Sequence, residues 1–485
     1  MKEFDLTLNN LGEIFPDDFT EEQLAKAKTV FLKELAYRMH KFYRGKMITV
    51  PKAGLYGFNW FNVWYTPGVS RVSTTIRENN EAAYELSNKG NLIGVVSDST
   101  RVLGDGDCTP PGGLGVMEGK AFLMKYLGGV DAVALCINDR DADGNPDPDK
   151  VIDFVKMAEP SFGGINLEDI SQPNCFKVLD TLREECNIPV WHDDAQGTGC
   201  VTLAGLLGAL EVVGKKLEDV RMVFIGAGAS NTTIARLIIT AGGDPKKMVM
   251  FDSKGSLSTD RDDIKSDPRF YRKWELCQAT NPDCIETHEE AIKGADALIA
   301  VSRPGPGLIP HEWIRSMAAD PIVFACANPV PEIYPYEAKE AGARIVATGR
   351  GDFPNQVNNS LGFPGILKGA LLARATAITD NMAVAAARSL ADFAGKKGFT
   401  PDYIIPTMDE ADVFPEEAAD VAMQAVKDGV ARRENITREQ IVEEARADIM
   451  EARRMVKKLM EDGFIKEPPE ELIRESLKTA VDSVS

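Results

Sequence analysis

The sequence has no surplus of basic residues: 55 Lys and Arg stand against 74 Asp and Glu, a formal charge of −19. Affinity for nucleic acid and docking on anionic lipid both rest on clustered Lys and Arg, so neither partner is expected. No uninterrupted apolar run approaches the length of a membrane span. The N-terminus, MKEFDLTLNN, lacks the apolar core of a secretory signal. Among Cys108, Cys136, Cys175, Cys186, Cys200, Cys277, Cys284 and Cys326 there is no CxxC pair. That excludes the usual disulfide and zinc frameworks and predicts reduced thiols in a cytoplasmic protein.

What is present is an ordinary globular composition, 44% hydrophobic and 27% charged, in a chain of 485 residues. That length predicts two domains and an appendage. Residues Thr20 to Met47 place Leu24, Ala27, Val30, Phe31, Leu35 and Met39 at helical spacing. From residue 92 short apolar runs (92–98, 131–138, 163–170, 188–194) alternate with amphipathic stretches near 116–128, 148–158 and 174–186. An apolar helix is expected at 201–213. Further strands follow at 221–226, 247–252, 295–302, 321–328 and 343–349, then one Ala-rich helix at 366–394. The alternation predicts an α/β protein. Its expected parts are an N-terminal α/β substrate and metal domain (1–195), a Rossmann-type doubly wound parallel-sheet domain (196–400) and a C-terminal helical extension (401–485). The extension holds 21 acidic and 12 basic side chains, and its stretch 437–461 carries Ile441, Ala445, Ile449, Met455 and Leu459 on a helical repeat.

Ile225-Gly226-Ala227-Gly228-Ala229-Ser230-Asn231 follows an expected strand and opens an expected helix. A first glycine allows the tight turn, and a second lets a pyrophosphate approach the helix N-terminus. Asn231 stands where the fingerprint has Gly or Ala. The next strand ends at Asp252, where an acid meets ribose hydroxyls. The cofactor-binding positions are therefore Gly226, Ala227, Gly228, Ala229, Ser230, Asn231, Asp252 and Ser253, with Asn328 added. An acid at 252 favours NAD over NADP. However, Lys254, Arg261 or Arg269 could fold back to hold a 2′-phosphate, so both nucleotides remain open.

Glu168-Asp169 and Asp193-Asp194 each close an expected strand. Ligands of parallel sheets bind beyond the carboxyl ends of strands, so both doublets should face one crevice. Neighbours on a regular strand point to opposite faces, so each doublet must lie just past the strand end. Clustered carboxylates without Cys or His select a hard cation, Mg²⁺ or Mn²⁺. His192 beside them is more often structural, and is left out of the metal shell. Taken alone, Lys120 in Glu118-Gly119-Lys120 is a solvated helix lysine, not a Walker lysine, and Tyr65 is a turn aromatic.

Together these segments resemble the malic enzyme family, in length nearer its smaller prokaryotic type. The resemblance is carried by Tyr65-Thr66-Pro67, Val96-Ser97-Asp98 through Arg101-Val102-Leu103-Gly104, Glu118-Gly119-Lys120 and Leu167-Glu168-Asp169-Ile170. It continues through His192-Asp193-Asp194-Ala195-Gln196-Gly197-Thr198, the GAG turn, Ala327-Asn328-Pro329, Asn358-Asn359 and Phe363-Pro364-Gly365. The resemblance implies oxidation of (S)-malate and its decarboxylation to pyruvate and CO₂, with NAD or NADP and Mg²⁺ or Mn²⁺, in a homodimer or larger homo-oligomer. By the same resemblance Glu168, Asp169 and Asp194 are metal ligands, Lys120 the general base, Tyr65 the general acid, and Asp193 the carboxylate that orients Lys120. Arg101, Asn328 and Asn359 bind substrate. A lysine base needs a depressed pKa, which burial and a nearby cation would supply. The loop Gly104 to Pro111 is more acidic and proline-rich than the family's, and Asp105 or Asp107 could sequester Arg101.

Three other readings compete. A malolactic-type enzyme would keep NAD bound and release lactate. A non-catalytic dinucleotide sensor would have no need of a metal and a base. An amino-acid dehydrogenase would leave the acidic doublets unexplained.

Overall fold

The computed structural model describes residues 4–102 and 104–484, so Leu103 of the Arg101 loop lies outside the described residues. Two compact units form: residues up to Lys52 with Arg453–Ser485, and Ala53–Ala452. The positions 195 and 400 fall inside the larger one.

In the smaller unit the helix Glu21–Tyr43 starts where its sequence says it should. Thr20 Oγ1 accepts from the Gln23 N–H (3.2 Å), and Gln23 Oε1 accepts from the Thr20 N–H (3.0 Å). This reciprocal cap satisfies two of the orphan donors at the helix start. Ala27, Phe31 and Leu35, four residues apart, are buried with Ile473 and Ala480 of the helix Glu470–Asp482.

The larger unit holds two sheets. The first comprises β1 (Leu92–Ser97), β2 (Asp131–Cys136), β3 (Gly164–Leu167) and β4 (Val190–His192), all parallel in the order β2-β1-β3-β4. The second comprises β5 (Met222–Ile225), β6 (Met248–Asp252), β7 (Gly255–Ser256), β8 (Ala297–Ala300), β9 (Ile322–Ala325) and β10 (Ile345–Thr348). Its order is β10-β9-β8-β5-β6-β7, parallel except for the β6–β7 hairpin. The strands read as unbroken apolar runs because both faces are buried; every residue of β8 and β9 has zero exposure. Chain order reverses between β1 and β3 in one sheet and between β5 and β8 in the other. These switch points are where ligands of open parallel sheets bind.

The helix Thr198–Val213 runs through the core. With the turn before it, Asp193–Val213 is long and apolar enough, by length and composition, to cross a membrane, but 72% of that window is buried inside the fold. The expected single Ala-rich helix is two, Phe363–Leu372 and Asp380–Lys397. Alanine propensity does not decide the matter, because Arg374 turns to φ 48°, Ala375 bridges to Ala431, and Thr379 caps the second helix. In the helix Arg438–Glu461, Ile441, Ala445, Ile449 and Ala452 are buried, whereas Met455, expected on the apolar repeat, is exposed. Met455 and Leu459 fall in the stretch Arg453–Ser485 that belongs to the smaller unit.

The chain just beyond 400 is stitched to β10 by Asn355. Its Nδ2 donates to Val346 O (3.0 Å) and Pro401 O (2.8 Å), and its Oδ1 accepts from Ile404 N (3.1 Å). Asn355→Ala removes all three bonds in a buried setting, and we expect a loss of about 2–4 kcal/mol in urea unfolding. An unchanged midpoint would mean that this stitch is dispensable.

Candidate active site

Both acidic doublets lie past their strand ends. After β3 the Glu168 N–H still donates to Val96 O (2.9 Å), and then Asp169 turns to φ 54°. After β4 the chain enters a π-helical turn, Asp193–Gly197. The Asp169 N–H donates to Asp194 Oδ2 (2.7 Å), which locks the two turns together. Glu168, Asp169 and Asp194 each offer an oxygen, all within 4.8 Å of one another. These are hard donors, deeply buried at Glu168 and Asp169, and they fit an oxygen-loving divalent cation. His192 is fully buried, burial lowers its pKa, and it is not one of this donor set.

Lys120 comes from the helix Leu114–Gly128, which crosses from β1 to β2. Its Nζ donates to Asp193 Oδ2 and lies 3.0 Å from Glu168 Oε1, over the Phe363 ring at 4.7 Å. Burial alone would lower its pKa, but the Asp193, Glu168 and Asp194 carboxylates overcome that and raise it. Among these carboxylates Lys120 is the protonated partner, and the depressed value a lysine base needs is expected from burial together with a nearby cation. Burial pushes Glu168 and Asp193 up, and the Lys120 ammonium pulls both back. Asn166 Nδ2 donates to Glu168 Oε2 (2.9 Å), and Trp191 Nε1 to Asp193 Oδ1 (3.1 Å). Sequence reasoning missed Asn166, Trp191 and Phe363 as supports, although Phe363 sits inside a quoted motif and Trp191 just before one.

The Arg101 backbone N–H donates to Asp169 O (2.9 Å), so the loop after β1 is tied to the Glu168–Asp169 turn. Its side chain is exposed and makes no ion pair among the described residues. Asp107 instead pairs with Arg140 (2.9 Å), which removes one of the suspected rivals for Arg101. A Cβ at Gly104 would lie 3.2 Å from Asn328 O, so this loop abuts Asn328. A Cβ at Gly197 would lie 3.2 Å from the Asn359 Cβ and 2.0 Å from Asp193 Oδ1, so Asn359 borders the lysine–aspartate pair. Tyr65 is not brought in. It ends a short helix with 71% exposure and makes no hydrogen bond to the cluster among the described residues.

The glycine turn lies at the switch point of the second sheet. Gly226 has φ 93°, and a Cβ there would sit 2.5 Å from Val301 O, just beyond β8. The helix Ala229–Thr240 has no side-chain cap, which leaves its first N–H groups for an anion. Asn231 explains its departure from the fingerprint. Buried, it donates from Nδ2 to Ile225 O (3.0 Å) and Gly226 O (2.8 Å), so it braces the turn from within. Ser230 Oγ donates to Asp194 O (2.8 Å) and joins this turn to the Asp193–Gly197 turn. Asp252 does not stand free: Arg261 holds both of its oxygens. Ser253 is exposed beside it. Another support unread from sequence is Glu332, buried, which accepts from Ser302 N (2.8 Å) and Ala327 N (3.0 Å) where β8 and β9 end.

A glycine turn at the switch point of a parallel sheet defines a dinucleotide-binding α/β enzyme. The model of the malic enzyme N-terminal domain matches residues 58–183, and that of the malic enzyme NAD-binding domain matches residues 195–429. A bifunctional malic/malolactic enzyme of Bacillus subtilis is 42% identical over 402 residues, covering 83% of this chain and 95% of that protein. An NAD-dependent malic enzyme of Geobacillus stearothermophilus is 42% identical over 416 residues, covering 86% and 83%. The crystal structure of Entamoeba histolytica malic enzyme is 63% identical, with a TM-score of 0.97 over 100% of both chains. The chain belongs to the malic enzyme family.

Because any side chain at 197 would strike Asp193, Gly197→Ala tests the pair's placement. We expect kcat to fall by about 100-fold, as for an ångström-scale misplacement of reacting groups, with the far-UV spectrum unchanged. Retained kcat would show that the Asp193 position is not critical.

Proposed function

We propose that the protein oxidises (S)-malate and decarboxylates it to pyruvate and CO₂, reducing NAD⁺ or NADP⁺ with the help of Mg²⁺ or Mn²⁺. The observation that carries the reading is Lys120, buried and paired with Asp193 and Glu168 beside the Glu168, Asp169 and Asp194 oxygens. Held by those three residues, the cation would supply Lewis acidity that lowers the pKa of the substrate's C2 hydroxyl. Bound there, it would also offset the carboxylate charge that holds Lys120 protonated. Lys120 then takes the hydroxyl proton as hydride leaves C2 for the nicotinamide, and Asp193 keeps its Nζ aimed. Arg101 grips a substrate carboxylate through parallel hydrogen bonds, flanked by Asn328 and Asn359. The resemblance gives Tyr65 as the acid that protonates the enolate carbon after CO₂ departs, a role that requires its exposed side chain to move to the cluster.

The metal residues, Lys120 and Arg101 come from 1–195, and the dinucleotide residues, with the substrate residues Asn328 and Asn359, from 196–400. Tyr56, Phe58, Trp64 and Tyr65 are 80%, 84%, 47% and 71% exposed, an aromatic run whose exposure supports the homo-oligomer reading. All eight cysteines are free thiols, which supports a cytoplasmic location.

A malolactic reading also has an observation behind it, the bifunctional name of the B. subtilis relative. One assay separates the two. With malate, nucleotide and Mn²⁺, absorbance at 340 nm should rise as pyruvate accumulates, EDTA should abolish the signal, and Mg²⁺ or Mn²⁺ should restore it. Lactate without net nucleotide reduction would favour the malolactic reading, and full activity in excess EDTA would sink the metal.

Arg101→Lys tests the substrate grip. A lost charge-assisted bond of about 1.5–3 kcal/mol predicts a 10- to 150-fold fall in kcat/KM for malate, with KM for the nucleotide unmoved. An unchanged malate KM would take the 101–111 loop out of the site.

A further inference from the structure

Asp252 ends β6, the strand beside β5 and its glycine turn, where an acid ordinarily takes the adenosine ribose hydroxyls. Here those oxygens are already engaged. Arg261 Nη1 donates to Asp252 Oδ1 (3.0 Å) and Nη2 to Oδ2 (3.0 Å). The Lys254 N–H donates to Oδ1 (2.9 Å), and Lys273 Nζ lies 3.6 Å from Oδ2. Burial would raise the Asp252 pKa, and these donors more than reverse it, so the acid is ionised and its charge is compensated.

Arg261 is fixed in place. Its Nη1 also reaches Ser256 O (3.2 Å) in the β6–β7 hairpin, so the guanidinium is braced against backbone. Its other edge, Nε and Nη2, holds the two oxygens of Asp263 (2.8 and 3.1 Å). Asp263 is partly exposed, and the mostly exposed Lys254 Nζ holds it too (3.0 Å). A solvent-accessible carboxylate thus occupies a forked donor edge flanked by a second cation. That fork accepts a phosphate as readily as a carboxylate. Arg269, the other basic candidate, is tied to its neighbour Asp267 (2.7 Å) and points to solvent.

We propose that Arg261 makes this chain select NADP over NAD, with the 2′-phosphate displacing Asp263 from the outer edge of its guanidinium and recruiting Lys254. Asp252 keeps the inner edge and orients the guanidinium, instead of repelling the phosphate. The proposal rests on the dinucleotide site described above, and concerns only which nucleotide that site prefers.

Binding rather than turnover tests it. Calorimetry on the full chain would compare 2′,5′-ADP, which carries the extra phosphate, with 5′-AMP, which lacks it. The wild type should bind 2′,5′-ADP at least about 10-fold more tightly than 5′-AMP. Arg261→Ser should erase that preference while 5′-AMP affinity moves by less than about 2-fold. Asp263→Asn, which removes the competing carboxylate and leaves Arg261 in place, should tighten 2′,5′-ADP several-fold, an effect a merely structural arginine would not produce. Should Arg261→Ser fail to fold, Asp263→Asn decides. Equal wild-type affinities, a preference that survives Arg261→Ser, or no response to Asp263→Asn would overturn the proposal. If neither nucleotide binds, the dinucleotide site itself falls, and the proposal falls with it. Turnover of malate with NAD alone would overturn the proposal but leave the malate reading standing.

Discussion

A single ammonium buried among carboxylates is the constraint on which the rest of this structure turns. Lys120 lies beside Asp193 and Glu168 in a place where water cannot screen them. Isolated charges are very costly in such surroundings and persist only when paired and hydrogen-bonded. The pairing has a surplus of one sign, since Asp194 also acts on the lysine and Asp169 stands beside Glu168 and Asp194. A divalent cation held there, as proposed, would relieve that surplus and free Lys120 from the anions that keep it protonated.

The fold supplies this arrangement at the ends of strands. Lys120 comes from the crossover after β1, Glu168 and Asp169 from the turn after β3, and Asp193 and Asp194 from the turn after β4. Backbone bonds make these turns one object: Arg101 N to Asp169 O and Asp169 N to Asp194 Oδ2. Ser230 extends the link to the glycine turn of the second sheet through Asp194 O. Metal, proton acceptor and hydride acceptor would be held by neighbouring turns of one compact unit, which suits a reaction that moves a proton and a hydride from adjacent atoms.

Much of this was legible in the sequence, and the reasons are physical. Strand alternation forced both acidic doublets past their strand ends, and there they are. The glycine turn announced itself by following an apolar run and preceding a helix. What could not be read was pairing across the fold. The Lys120–Asp193 pair, 73 residues apart, was expected only through the family resemblance, and its link to Glu168 was not. Asp252 read as an acid facing ribose, but its capture by Arg261 needed the β6–β7 hairpin to bring the two together. Asn231 looked like a flaw in the fingerprint until its side chain was seen holding the turn's carbonyls. The break in the Ala-rich stretch was hidden for a related reason, since a Thr379 cap and a bridge to Ala431 override local propensity.

The most direct test of the central claim is to count the cation on the protein by electron paramagnetic resonance, titrating Mn²⁺ into the chain and reading the free ion. The account predicts one tightly bound Mn²⁺ per chain, lost in Asp194→Asn while the circular dichroism spectrum stays that of the folded protein. Absence of tight binding in the wild type, or undiminished affinity in Asp194→Asn, would contradict it.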